Sequence, residues 1–185
     1  MTPFLESHKI FLSPISLSLI GESGYSNWIN NQNSDLYTQH AIFPHSQEEL
    51  ASYVNSKLNI KNSIWLAIVL KENNQHIGNI DISDIDWINR IGTYNILIGE
   101  SGHHGKRIGY HASHLIINHA FNRLNLNKIQ LGVQENNLRA IKLYKSIGFE
   151  VEGIARSSIL TNGRYINALR MGLLHSEYKF DFEIL

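Results

Sequence analysis

The chain has 185 residues, with 16 Lys and Arg balanced by 16 Asp and Glu, and no cysteine. A single domain of this length buries a full core unaided; balanced charge argues against broad electrostatic binding to nucleic acid or anionic membrane; and the missing thiols exclude disulfides, Cys-type zinc sites and a cysteine nucleophile. The longest apolar run, IWLAIVL at residues 64–70, is far short of a membrane span, and the first residues lack a basic start followed by a continuous apolar stretch, so a cytoplasmic location is expected.

KIFLSPI (residues 9–15) reads as a first strand, and residues 17–31, with Leu17, Ile20 and Trp28 as apolar positions, as irregular helix. Ser46 followed by Glu49 is a capping box that opens a helix running to about Leu58. IWLAIVL is a buried strand, KENNQ a turn, and HIGNIDISDIDWI (residues 76–88) a long strand with a slip in its pattern. Ile80 and Ile82 share one face while Ile85 and Trp87 follow the opposite parity, and one bulge near Ser83 and Asp84 resolves the conflict. YNILIG (94–99) is the next strand. Ala112, Leu115, Ile116, Ala120 and Leu124 then mark a helix over residues 109–124. KIQLGV (128–133) returns as a strand, a helix over 137–147 stops at Gly148, and strands at 151–160 and 164–173 pair around TNG. This order predicts an α/β (α+β) domain with a mixed central sheet of about seven strands and helices on both faces.

Between the strand at 94–99 and the following helix lies GHHGKRIGYHA (residues 102–112). Backbone N–H groups in a helix's first turn have no internal partner, and glycine lets a ligand approach them, so the loop suits an anion such as phosphate. It is not a nucleotide-hydrolysing P-loop: Glu100 stands where the first glycine belongs, and Arg107 where a magnesium-binding Ser or Thr belongs. His103, His104, His111, His114 and His119 crowd the region, but no HExxH occurs and no carboxylate completes a ligand set, so no metal is expected. His103 and His104 read better as donors near phosphate.

Two motifs in order, His104 to Gly109 against Q/R-x-x-G-x-G/A and Val133, Asn137, Ala140, Tyr144, Gly148 and Phe149 against V-x-x-x-N-x-x-A-x-x-x-Y-x-x-x-G-F, resemble the GNAT superfamily of acyl-CoA-dependent N-acetyltransferases. The N-terminal section and the ending RSSILTNGRYINALRMGLL look more particularly like its RimJ/RimL-like branch. His104 stands where the family has Arg or Gln, Arg107 replaces the middle glycine, Thr93 stands where the branch often has an acid, and Asn167 replaces Asp in Gly-x-Tyr-x-Asp (here Gly163, Tyr165).

The resemblance implies a single N-acetyltransferase domain, with residues 1–90 as the acceptor-side half and 91–175 as the acetyl-CoA core. Acetyl-CoA, as co-substrate, would lie where the strands at 94–99 and 128–133 splay apart. Its pantetheine arm would meet backbone around Ile96, Leu97 and Ile98, as well as Asn137; its pyrophosphate would meet the N–H groups of His104, Gly105, Lys106, Arg107, Ile108, Gly109 and Tyr110. A backbone N–H near Leu97 or Ile98 would stabilise the oxyanion, and Tyr144 would protonate the leaving thiolate. Asp81, Asp84, Asp86 and Glu100 are candidate bases, with the bulge re-aiming Asp84 inward. The acceptor is an amine: a nucleotide-linked amino sugar is favoured, with protein N-termini and polyamines as alternatives, and Trp28, Tyr37, Phe43, Trp65 and Trp87 are candidate pocket aromatics. A non-catalytic acyl-CoA sensor is the reading from another class, and a homodimer is expected by family likeness.

Overall fold

The computed structural model describes residues 2–31, 42–99, 102 and 106–185. Strands β1 (Leu5–Glu6), β2 (Ile10–Pro14), β3 (Ile64–Leu70), β4 (His76–Asp86), β5 (Ile91–Ile98), β6 (Lys128–Gln134), β7 (Glu150–Thr161) and β8 (Arg164–Leu174) form one sheet in the order β1-β2-β3-β4-β5-β6-β8-β7. The sheet has eight strands rather than about seven because β1 pairs with β2. Its turn is closed by Ser7, whose backbone N–H donates to the Ile10 carbonyl (2.9 Å) while its Oγ accepts from the Ile10 N–H (3.2 Å). No Asn-Gly or Asp-Gly pair announces such a turn.

The helices divide between the two faces. Helices α1 (Leu17–Glu22), α2 (Tyr25–Asn30) and α3 (Gln47–Leu58) cover one, with Phe11, Ala67 and Val69 of the sheet beneath them. The irregular helix expected at 17–31 is thus two short ones, and Leu17 is exposed where Ile20 and Trp28 are buried. Helix α3 begins as expected, because Ser46 Oγ accepts from the Glu49 N–H (3.2 Å) and Glu49 Oε2 from the Ser46 N–H (2.9 Å).

Helices α4 (Ile108–Asn122) and α5 (Leu138–Ile147) cover the other face over the larger core, where Ile80, Ile82, Ile116, Ile117 and Ile129 are wholly buried. Burying such a side chain is worth about 1.5–3 kcal/mol. After α5, Gly148 adopts φ 113° and the Phe149 N–H returns to the Tyr144 carbonyl (3.0 Å), which brings the Phe149 ring to 6.0 Å from that of Tyr144. The TNG turn has φ 50° at Asn162 and 74° at Gly163, both left-handed as a two-residue hairpin turn requires.

The bulge in β4 is present: the β4–β5 register shifts between Ser83 and Asp86, and Asp84 has φ 49°. The strand ends at Asp86, short of Trp87, because Asp86 Oδ1 accepts from the Ile88 and Asn89 N–H groups (2.9 Å each) and starts the turn into β5.

Candidate active site

Strands β5 and β6 are the parallel pair, and they pair only through Ile91–Lys128, Gly92–Ile129 and Thr93–Gln130. Beyond Thr93 the strands no longer pair, so a gap opens alongside Tyr94, Asn95, Ile96, Leu97 and Ile98. Backbone groups in an antiparallel partner alternate in direction. Because the Gly99 N–H donates to Ile77 (2.9 Å) toward β4, the Leu97 N–H also turns toward β4, while Ile96 and Ile98 face the gap. The Leu97 N–H expected as oxyanion donor therefore points away from the gap. The same alternation puts the Ile96 and Ile98 side chains on the α4 face and that of Leu97 on the α1–α3 face.

Glu100, His103, His104 and Gly105 lie outside the described residues. The end of the loop is described. Arg107 precedes α4 with φ 62°, the left-handed conformation that a glycine at the family's middle position adopts without cost. Its guanidinium lies 4.4 Å from the Tyr110 ring centroid and 3.7 Å from Asp181, which also accepts from the Tyr110 hydroxyl (3.0 Å). Arg107 offers α4 no side-chain cap, so the N–H groups of Ile108, Gly109 and Tyr110 remain for an anion; exposed Lys106 adds charge there. A Cβ at Gly109 would lie 3.3 Å from the end of the Leu143 side chain of α5, close enough that Leu143 would have to shift slightly.

Tyr144 is buried on the α4–α5 face, with its ring 5.8 Å from that of Tyr94. Burial pushes its hydroxyl up to about 12, so it stays protonated at neutral pH. The Tyr94 hydroxyl is bonded to Ser113 (2.6 Å), which donates to the Gly109 carbonyl (2.6 Å), tying β5 to the first turn of α4. Asn137 caps α5 by accepting from the Ala140 N–H (3.1 Å), an arrangement that occupies its oxygen and leaves its NH₂ to donate.

The other wall of the gap faces α1–α3. Trp65, Asp81 and Asn95 form one cross-strand row over β3, β4 and β5. Asp81 is half-buried and accepts from Asn95 Nδ2 (2.8 Å); burial pushes its carboxyl above the usual range, opposed by that hydrogen bond and by Lys57. The bulge does not turn Asp84 inward: it buries Ser83 and leaves Asp84 exposed, with the Ser83 hydroxyl donating to it (3.3 Å). Asp86 is exposed and engaged in its turn. Of the described carboxylates proposed as bases, only Asp81 is partly desolvated beside the gap.

The candidate aromatics do not form one pocket. Trp28 is buried against His76 (ring centroids 5.0 Å) and Tyr25, Phe43 and Trp87 are exposed, and Tyr37 lies outside the described residues; Trp65 alone stands in the Asp81 row, with Tyr53 at 6.0 Å. Asn167, in place of the family's Asp, donates through its backbone N–H and Nδ2 to Glu135 (3.1 and 3.0 Å), which a second carboxylate would repel. His111, His114 and His119 go to separate partners, Ser7 (3.2 Å), Tyr178 (3.0 Å) and the Phe4 ring (5.1 Å), and no three His, Cys, Asp or Glu side chains converge among the described residues.

The gap fits an amide-bearing arm with an anionic end. Gln134, at the end of β6, buries an Oε1 with no hydrogen-bond partner among the described residues, an acceptor awaiting an N–H group. A parallel pair thus opens beside a helix N-terminus that has no side-chain cap, with a buried phenol on one face and a half-buried carboxylate on the other. The match of residues 10–150 to the acetyltransferase (GNAT) domain model shows that this chain belongs to that family. Spermidine N(1)-acetyltransferase of Escherichia coli strain K12 is 31% identical over 110 residues, which are 60% of this chain and 59% of that protein. A crystal structure of spermidine N-acetyltransferase from Vibrio cholerae in complex with CoA and spermine superposes with TM-score 0.79 at 28% identity, covering 91% of this chain and 97% of the other. A dodecameric structure of the Vibrio cholerae enzyme in an intermediate state superposes with TM-score 0.76 at 26% identity, over 90% and 94% of the two chains. Among the described residues no helix is long and apolar enough to cross a membrane.

Proposed function

We propose that the chain transfers the acetyl group of acetyl-CoA to a primary amine of a polyamine-like acceptor, by direct attack in a ternary complex. The observation that carries this reading is the placing of Tyr144 and Asp81 on opposite faces of the gap that opens after Thr93 and Gln130. The favoured acceptor thereby moves from an amino sugar to a polyamine, and the likeness moves from the RimJ/RimL-like branch toward the spermidine acetyltransferases. Three features support that move: the similarity to two spermidine acetyltransferases, the half-buried carboxylate of Asp81, and the aromatic rings of Trp65 and Tyr53 near it. A balanced net charge is no obstacle, since a cation is recognised by the local field and not by the total. Self-association is part of the reading and extends the expected homodimer, because the similar Vibrio cholerae enzyme assembles as a dodecamer.

Acetyl-CoA supplies an activated thioester. Lys106, Arg107 and the first N–H groups of α4 hold the pyrophosphate, and the Asn137 NH₂, the Gln134 Oε1 and the β5 backbone hold the pantetheine. Asp81, through a water molecule, takes a proton from the ammonium. The free amine attacks the carbonyl carbon, and a gap-facing N–H of β5, that of Ile96, stabilises the oxyanion. The C–N bond forms, the C–S bond breaks, Tyr144 gives its proton to sulfur, and the second proton of the attacking nitrogen, carried by water, restores the Tyr144 phenol and leaves a neutral amide. With the Tyr144 hydroxyl at about 12 against a free thiol of about 8.5, Tyr144 acts first as a hydrogen-bond donor to the developing thiolate.

Calorimetric titration with acetyl-CoA, then thiol release against spermidine, amino-sugar nucleotides and short peptides, tests the proposal. Binding with release on spermidine alone is expected. Release on another amine class removes the polyamine assignment, binding without release on any acceptor supports an acyl-CoA sensor, and absence of binding overturns the cofactor site.

A further inference from the structure

Resting on the reading of Asp81 as proton acceptor, we infer that Asn95 is a positioning residue that holds the Asp81 carboxylate in one orientation, and that the β4 bulge places Ser83 to fix Asn95. Asn95 is the cross-strand partner of Asp81, so the two side chains share a face. Its Nδ2 donates to Asp81 Oδ1 at 2.8 Å and to Ser83 Oγ at 3.1 Å, which uses both hydrogens of the amide. Only the NH₂ end of an amide can face a carboxylate, so chemistry dictates the orientation. Ser83 Oγ, taking one bond from Asn95, passes its own hydrogen to Asp84 Oδ2 at 3.3 Å.

The chain Asp84–Ser83–Asn95–Asp81 therefore runs from solvent to the gap. It depends on the bulge, which allows neighbouring Ser83 and Asp84 to serve it from opposite environments, one buried and one exposed. Asn95 follows the last β5–β6 pair by two residues, at the start of the opening. A neutral amide suits this place because it orients the carboxylate without cancelling its charge. The other titratable groups that act on Asp81 are Lys57 of α3, Tyr25 of α2 and Asp84 of β4, with Tyr94 of β5 acting from the opposite face of the sheet. Burial raises the Asp81 carboxyl, and the Asn95 hydrogen bond is the strongest influence holding it down.

The test is a carboxyl-carbon NMR titration of Asp81 in the full chain, its resonance assigned by its loss in Asp81→Asn. In Asn95→Leu the titration midpoint is expected to rise by about one pH unit, a tenfold change in proton affinity. Asn95→Gln, which keeps the donor, should return it toward the parent value. Ser83→Ala, which frees the amide, should raise it by less and keeps the test alive if Asn95→Leu fails to fold. An unmoved midpoint in the folded variants overturns the inference. In parallel, the acid limb of kcat/KM for spermidine should follow the same shifts, with the KM for acetyl-CoA unchanged. If Asp81→Asn keeps full activity, Asp81 is not the base, even where the NMR shifts occur; if Asp81→Asn is inactive and the midpoint stays put, the role of Asn95 alone falls.

Discussion

In the proposed reaction the sheet's two faces carry the two halves of the chemistry with different materials. On the α4–α5 face the working polar groups, Tyr94, Ser113 and Tyr144, are set in a large apolar core that includes Ile80, Ile82, Ile116 and Phe149. On the α1–α3 face a smaller cluster borders a polar row of Asp81, Asn95 and Ser83 that reaches the surface. Acetyl-CoA is the same molecule in every turnover, so its site can be built largely from backbone and rigid packing. An acceptor is distinguished by a few side chains on a less buried wall, where changing them costs the core little.

If the faces divide the work this way, removing the carboxylate should separate catalysis from cofactor binding most sharply. Asp81→Asn is expected to lower kcat/KM for spermidine by about 10²–10³-fold, the usual scale for a general base, with acetyl-CoA affinity unchanged by calorimetry. Loss of acetyl-CoA affinity in that variant would mean that the faces are not independent. Tyr144→Phe should lower kcat by at least about tenfold, within the range for a general acid, again with acetyl-CoA affinity retained. Equal turnover would reduce Tyr144 to a packed ring between Tyr94 and Phe149.

The α4–α5 side was the more legible in the sequence. A strand, a glycine-containing loop and a helix of period 3.6 are local features, and the Asn137 cap, the Gly148 stop and the Tyr144–Phe149 contact follow from spacing along one helix. The bulge in β4 was legible too, because Ile80, Ile82, Ile85 and Trp87 cannot share one unbroken alternation. Its consequence was not: which of Ser83 and Asp84 turns inward depends on the positive φ of Asp84 and on Asn95 across the pair, a contact between residues 12 apart. Parity along β5 could have put Asn95 beside Asp81 once the strands were aligned, but sequence alone does not set their register. The direction of the Leu97 N–H has the same origin. The clasp of Asp181 on Arg107 and Tyr110 carries no motif, since it joins the C-terminal segment to a helix some 70 residues earlier (71 between Tyr110 and Asp181).

Acid should loosen the outer side of the α4 face before it reaches Asp81 and Tyr144. Burial lowers the affinity of His76, His111, His114 and His119 for protons, to about 4 for His111. These side chains are neutral in the folded chain and bind protons more readily when it unfolds, so their contribution is complete above about pH 6.5 and is lost as pH falls toward their folded values. Asp81, whose carboxyl is raised, works in the opposite direction and blunts the loss. The melting temperature should therefore fall between pH 7 and 5, and fall less in His111→Gln, which can keep a bond to Ser7 without taking up a proton. A slope unaltered by His111→Gln but reduced by His76→Asn would move the acid-sensitive element to the acceptor face.

The smallest expected effect on stability concerns Arg107, where the cofactor face departs from the family's glycine. Restoring it with Arg107→Gly relieves a left-handed residue worth roughly 1–2 kcal/mol, but Gly adds about 0.5–1 kcal/mol of chain entropy to the unfolded state. The variant also loses a guanidinium–ring contact of about 0.5–1 kcal/mol at an exposed site, while the 3.7 Å approach to Asp181 is open to solvent and adds little. These contributions nearly cancel, and the net change in stability should stay within about 1 kcal/mol. Acetyl-CoA affinity need not cancel in the same way, because phosphate gains from a nearby cation and nothing in a glycine replaces it. A few-fold weaker Kd at unchanged melting temperature, larger at low salt than at high, would show that Arg107 was retained for its charge and that Tyr110 and Asp181 serve to hold that charge at the loop. An unchanged Kd would leave the backbone N–H groups of α4 as the pyrophosphate's main support and make the clasp a matter of fold alone.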